Sequence, residues 1–172
     1  TQVFEAMKDR FGYTSTMAAP RIEKISISVG VGSLNDKKKL EVIQDRLEKI
    51  TGQKPAPRQA KKSIAQFKVR EGDIAGYQVT LRGRRMRDFL DRFLNIALPR
   101  TRDFRGIPRS VVDEMGNMTI GVKDHSIFPE TADEDLKDIF GLAVTVVTTA
   151  SNVEEATAFF EHLGVPFKKL TE

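Results

Sequence analysis

Between residues 21 and 29 the chain alternates: Ile25, Ile27 and Val29 are apolar, and Lys24, Ser26 and Ser28 beside them are polar. Successive side chains of a strand point to opposite faces, so this spacing predicts a half-buried β-strand whose outer face carries small hydroxyls. Two more alternating runs, 61–70 and 75–82, flank Glu71, Gly72, Asp73 and Ile74 and predict a β-hairpin. Ile64, Phe67, Val69, Val79 and Leu81 would face the core, with Lys68, Arg70, Gln78, Thr80 and Arg82 on the other side. Residues 118–122 and 142–149 predict further strands.

Helical spacing lies between these runs. Val3, Phe4, Met7 and Phe11 line one face of a short helix that Gly12 ends. Leu40, Ile43, Leu47 and Ile50 line a second, with Asn35 or Asp36 as cap and Gly52 where a C-terminal glycine belongs. Residues 84–98 form the clearest helix: Met86, Phe89, Leu90, Phe93, Leu94 and Ala97 make a core stripe, and Pro99 stops it. A short acidic helix is expected over 133–140, and a last one runs from the cap Asn152 through Ala156, Phe159, Phe160 and Leu163. Gly30-Val31-Gly32-Ser33 lacks the Lys-Ser/Thr ending of a phosphate loop and is expected to be a plain turn. Residues 53–57 are expected to be a turn, because Pro55 and Pro57 cannot serve a central ladder.

This order implies an α+β fold over residues 1–172, one domain with helices packed on one face of a mainly antiparallel sheet and a long basic loop at 100–117. The other sheet face is left for a partner, and it would carry Ser28, Lys68, Arg70, Gln78, Thr80 and Arg82.

Charge sharpens the picture. The chain as a whole is +4, but residues 54–109 hold 15 Lys or Arg against five acids, while residues 110–172 are net −8. A basic middle beside an acidic end points to a polyanionic partner, nucleic acid first among them, or else to a solvated charged face. With 40% hydrophobic and 30% charged residues the composition is ordinary for a globular protein, and without cysteine there is neither disulfide nor thiolate chemistry. No apolar run approaches the ~20 residues needed to cross a bilayer. The start lacks the apolar run of a signal peptide, so a soluble cytosolic protein without membrane contact is expected, its Thr1 preceded by an encoded start.

Catalytic chemistry is thinly provided. His125 and His162 have no partner at ligand or triad spacing, and the acids at 130–138 lack the order of a calcium loop. Neither catalytic residues, nor a metal site, nor a cofactor is expected. An RNA-modifying or RNA-processing enzyme and a protein–protein adaptor are the rival classes.

Several short stretches, in order, carry a resemblance. Thr51-Gly52-Gln53-Lys54-Pro55, Ala60-Lys61-Lys62-Ser63-Ile64, Phe67-Lys68-Val69-Arg70-Glu71-Gly72, Val79-Thr80-Leu81-Arg82, Ala97-Leu98-Pro99-Arg100, Arg102-Asp103-Phe104-Arg105-Gly106 and Ile127-Phe128-Pro129-Glu130 together resemble the bacterial large-subunit ribosomal protein family that binds 5S ribosomal RNA. The resemblance runs over essentially the whole chain. It implies a non-enzymatic constituent of the central protuberance that anchors 5S rRNA to 23S rRNA among other protuberance proteins. It also implies contact with the P-site tRNA and an intersubunit bridge to a small-subunit head protein.

Carried over, the 5S contacts fall on Ser28, Gln53 and Thr80, with Lys54, Lys61, Lys62, Lys68, Arg70 and Arg82 as flanking cations. Gln53 and Thr80 match the family, whereas Ser28 stands where asparagine is usual. The tRNA-facing hairpin tip would be Glu71, Gly72, Asp73, Ile74, Ala75 and Gly76, and the bridge loop would use Arg102, Arg105, Arg109, Met115 and Asn117. The family's usual Phe-Asp-Gly-Arg-Gly-Asn is here Val112-Asp113-Glu114-Met115-Gly116-Asn117.

Overall fold

The computed structural model describes residues 2–32, 37–67, 69–102, 104–131 and 139–168. Five strands form one antiparallel sheet in the order β2-β3-β1-β5-β4. They are β1 (Ile22–Gly30), β2 (Ala56–Gln59), β3 (Ile74–Leu81), β4 (Met118–Val122) and β5 (Leu142–Thr148). Four α-helices occur among the described residues: α1 (Gln2–Phe11), α2 (Lys37–Thr51), α3 (Gly83–Arg92) and α4 (Val153–His162). The α+β expectation holds.

β1 lies at the centre, and its alternation sorts the molecule into a dry side and a wet one. Ile25, Ile27 and Val29 are buried with Tyr77, Val79 and Leu81 of β3, Leu142, Val144 and Val146 of β5, and Met118, Ile120 and Val122 of β4. The helices close over this face. Ile43, Leu47 and Ile50 come from α2, Met86, Phe89 and Leu90 from α3, and Ala156, Phe159 and Phe160 from α4, all in one continuous core. The expected stripe on α3 is core: Phe89, Phe93 and Phe128 stack with ring centroids 5.8–6.1 Å apart. After Arg92 the helix widens into a π-helix, Phe93–Ala97, and then tightens into a 3-10 turn, Leu98–Arg100. Pro99 has no N–H to continue an α-helical ladder, so regular winding cannot pass it.

Three sequence expectations change. The strand expected at 61–70 is not formed; β3 pairs instead with β2, so Ala56 lies opposite Gln78 and Arg58 opposite Gly76. Pro57 is tolerated because β2 is the sheet edge, where a missing N–H leaves no central ladder bond unmade. The described residues of 60–73 form a loop braced by a bridge between Ile64 and Val69 and, at its neck, by backbone hydrogen bonds of Ala60 with Gly72 and Asp73, and Ile64, expected in the core, is 49% exposed. The predicted tip also divides. Its turn is at 70–73, where the Asp73 N–H donates to the Arg70 carbonyl, the Arg70 N–H donates to the Asp73 carboxylate at 2.7 Å, and Gly72 takes φ +90°. Ile74, Ala75 and Gly76 belong to β3 itself.

The basic loop at 100–117 is tied down. Ile107 is buried and bridges in parallel to Phe167, its N–H donating to the Pro166 carbonyl at 2.8 Å. Val112 is also buried and bridges to Met118. The expected caps Asn35 and Asp36 and most of the expected acidic helix at 133–140 lie outside the described residues. Asn152 caps α4 as expected, its side-chain oxygen accepting from the Glu155 N–H at 2.8 Å. Glu155, in turn, accepts from the Tyr13 hydroxyl and from the Ser151 N–H, joining the turn after α1 to the start of α4.

Two measurements test these contacts. A Cβ on Gly76 would meet the Val29 carbonyl oxygen at 2.6 Å, between the two central strands. Gly76→Ala is therefore expected to destabilise the fold by about 3 kcal/mol, the upper range for overpacking, in chemical denaturation. Burial first, then the Glu155 hydrogen bond and charge, raise the Tyr13 pKa above the ordinary tyrosine value of 10.0. The folded chain thus holds a proton that the unfolded chain gives up above about pH 10, so this stabilisation is full below that value and is lost as pH rises. Tyr13→Phe should cost about 1 kcal/mol at neutral pH and flatten the alkaline limb of stability against pH.

Candidate nucleic-acid interface

The uncovered sheet face is built by strand register. Thr80 lies opposite Ser26, Ser26 opposite Thr145, and Thr145 opposite Thr119. One step along, Ala56, Gln78, Ser28, Ala143 and Gly121 form a second row. Every residue in these rows has a small or uncharged polar side chain, or none. No charged side chain stands in these rows, and a ligand can come close to the backbone.

Polar contacts order one side of it. Arg58 Nε donates to Gln78 Oε1 at 2.8 Å, and Gln78 Nε2 donates to Ser26 Oγ at 2.8 Å. Gln53 follows Gly52, which ends α2 with φ +68°, and Gln53 Nε2 reaches the Thr80 carbonyl at 3.4 Å. The turn beneath it is held by Thr51, whose hydroxyl donates to the Leu47 carbonyl at 2.7 Å and accepts from the Gln53 N–H. Gln53 and Thr80, 27 residues apart, are thus in direct contact, and Ser28 faces the same side from the neighbouring strand.

The cations are less united than the sequence implies. Lys54 and Arg82 are exposed, and Arg82 continues the outward positions of β3. Lys61 and Lys62 are exposed on the 60–73 loop, beside an apolar groove lined by Gly32, Ala60, Ile64, Val69 and Ala75. Arg70 belongs to that loop's turn rather than to the sheet, because the strand expected to carry it does not form; Lys68 lies outside the described residues. Arg84, Arg85 and Arg87 are exposed on the solvent side of α3, in the helix layer, so the basic stretch spreads over two surfaces.

In the 100–117 loop, Arg102, Arg105 and Met115 are exposed, Met115 by 74%. Arg109 is engaged by Glu161 and lies over the Phe167 ring. Asn117 donates to Asp113 and accepts from the Thr148 N–H at 3.2 Å, which fastens its turn to β5. Arg109 and Asn117 therefore have structural duties. Sequence reasoning missed Arg58, which follows directly on the proline-rich stretch expected to be a turn and lies in β2, and the part played by Thr119 and Thr145. Their alternation was visible, but only strand order puts them beside Ser26.

His125 is 3% exposed, stacked on Phe140 with centroids 4.2 Å apart, and its Nε2 lies 3.1 Å from Arg46 Nη1. Arg46 is itself 5% exposed. Among the described residues no group of three His, Cys, Asp or Glu is placed to hold a metal ion, and no helix is long and apolar enough to cross a membrane.

Comparison with known proteins fits this geometry. The model of ribosomal protein L5 matches residues 15–70, and the model of the C-terminus of the same ribosomal family matches residues 74–167. The chain belongs to the ribosomal protein L5 family. Large ribosomal subunit protein uL5 of Mesoplasma florum is 47% identical over 98% of this chain and 94% of its own length. The uL5 proteins of Streptococcus pyogenes and Streptococcus uberis are 46% identical over the same shares. As an L5-family protein the chain is a structural, non-enzymatic constituent of the large ribosomal subunit, in a setting of ribosomal RNA, and in bacteria that places it in the cytoplasm.

The buried histidine is accordingly a packing group. His125→Ala should cost about 2–4 kcal/mol in denaturant unfolding, through the lost stack and the altered surroundings of Arg46. Affinity of the folded variant for RNA should stay unchanged.

Proposed function

We propose that this L5-family chain acts as one domain that binds 5S rRNA on its open sheet face and anchors it to 23S rRNA in the central protuberance, among the other proteins there. The observation that carries the reading is the contact of Gln53 with Thr80 on a polar face shared with Ser28 and flanked by Lys54, Arg58 and Arg82. Structured RNA hides its base edges in a deep major groove, so proteins hold phosphates, ribose hydroxyls and exposed bases. Cations position such a ligand and short polar side chains discriminate it. Ser28 has no amide to donate, so its share of the contact is a hydroxyl's, made directly or through water.

The protruding loop at 60–73 suits contact with the P-site tRNA. Glu71 and Asp73 would repel phosphate at its turn, which favours contact through backbone or apolar groups; Ile74 is taken up by β3, and Ile64 is an exposed apolar residue of the loop. For the intersubunit bridge, the exposed Arg102, Arg105 and Met115 are the surface available to a small-subunit head protein.

The test is equilibrium binding of the protein to 5S rRNA and to an unrelated folded RNA of similar length, at physiological salt. Strong preference for 5S rRNA is expected, and Thr80→Val or Gln53→Ala should each weaken it by about 1–3 kcal/mol by stranding an RNA group. The salt dependence should correspond to several phosphate contacts at roughly −0.7 to −0.9 in log–log slope for each. Equal affinity for both RNAs would reduce the face to a basic surface.

A further inference from the structure

On the same sheet face, four hydroxyls from four neighbouring strands lie in line: Thr119, Thr145, Ser26 and Thr80. At about 4.8 Å between strands the row is ~14 Å long. We propose that this row reads ribose 2′-hydroxyls of the bound RNA, with Gln78, held by Arg58, as the residue that positions Ser26. The inference rests on the open sheet face being the RNA surface and adds which RNA group it recognises.

Hydrogen-bond polarity makes the assignment. A guanidinium can only donate, so Arg58 claims the carbonyl oxygen of Gln78 and turns its NH₂ towards Ser26. Ser26 Oγ therefore accepts, and its own proton is left for an acceptor above the sheet. Thr119 and Thr145 lie 3.1 Å apart, oxygen to oxygen, and share one proton between them, so the second is free to donate outward. The Thr80 side chain makes no hydrogen bond among the described residues, while its carbonyl is taken by Gln53.

The row thus offers protons and lone pairs at fixed spacing. A 2′-hydroxyl, donor and acceptor at once, is the group that answers both and the one that separates RNA from DNA. Groups suited to base edges are missing from the row. The Gln78 amide, which could bind a base with both its atoms, is already engaged at both ends. Beside the row stand Ser28, Ala143 and Gly121, too short to keep a sugar away.

The experiment uses the intact protein and a pool of 5S rRNA carrying sparse 2′-deoxy substitutions. Bound and unbound RNA are separated and compared position by position. Wild-type protein should exclude deoxy substitution at a short run of positions. Ser26→Ala and Thr145→Val should each weaken binding roughly 2- to 10-fold and abolish exclusion at one or two positions of that run, leaving the rest intact. Gln78→Met should abolish the same positions as Ser26→Ala, which a general loosening of the sheet would not do. Should Gln78→Met fail to fold, the two hydroxyl variants still decide.

The proposal is overturned if wild-type protein selects 5S rRNA yet shows no deoxy-sensitive run. It is equally overturned if the variants lose affinity while the map of sensitive positions stays the same, since the hydroxyls would then meet phosphates or merely shape the face. Loss of selectivity in the wild-type protein itself would remove the RNA face together with this inference.

Discussion

Everything in this fold hangs on the register of β1 against its two neighbours. The strand is buried on one side and polar on the other, and a slip of one residue would send Ile25, Ile27 and Val29 to solvent and Ser26 and Ser28 into the core. Burial of those three side chains, each worth about 1.5–3 kcal/mol, opposes any such slip. The same force that dries one face therefore lines up hydroxyls on the other. Gly76 belongs to this constraint, because only a residue without Cβ lets β3 approach the Val29 carbonyl so closely.

Around that centre the chain solves two edge problems differently. β2 is short and contains Pro57, so one edge offers little to another strand. The segment before β4 is drawn in instead, with Val112 bridging to Met118 and Ile107 clasped by the chain around Phe167. This is why a glycine-, proline- and arginine-rich stretch without periodicity is an ordered part of the molecule. Its anchors are residues far along the chain, reached through single backbone bridges rather than through a repeating pattern.

Membership of the L5 family places the chain in the large ribosomal subunit. The sheet presents small polar groups at fixed spacing, which suits the proposed RNA ligand, whose shape is itself fixed. The arginines on α3 add positive charge on the helix layer, a surface separate from the open sheet face.

Much of this was legible in the order of residues. Period-two and period-3.6 spacing settle the central strand, the four described helices and the core stripes of β1, β3, α2, α3 and α4, because burial selects apolar residues at those periods whatever their partners. The resemblance brought out Ser28, Gln53 and Thr80, and the structure brings Gln53 and Thr80 into contact. Strand pairing is another matter. Residues 61–70 alternate well enough to be a strand, but Pro57 and its neighbours took the place beside β3, since an edge tolerates a proline and pairing is a choice between distant segments. Likewise the sequence shows three threonines and a serine on four strands, while only sheet order sets their hydroxyls side by side. Local spacing determines which face a side chain takes; the tertiary fold alone decides which side chains share it, because register couples residues that no local pattern connects.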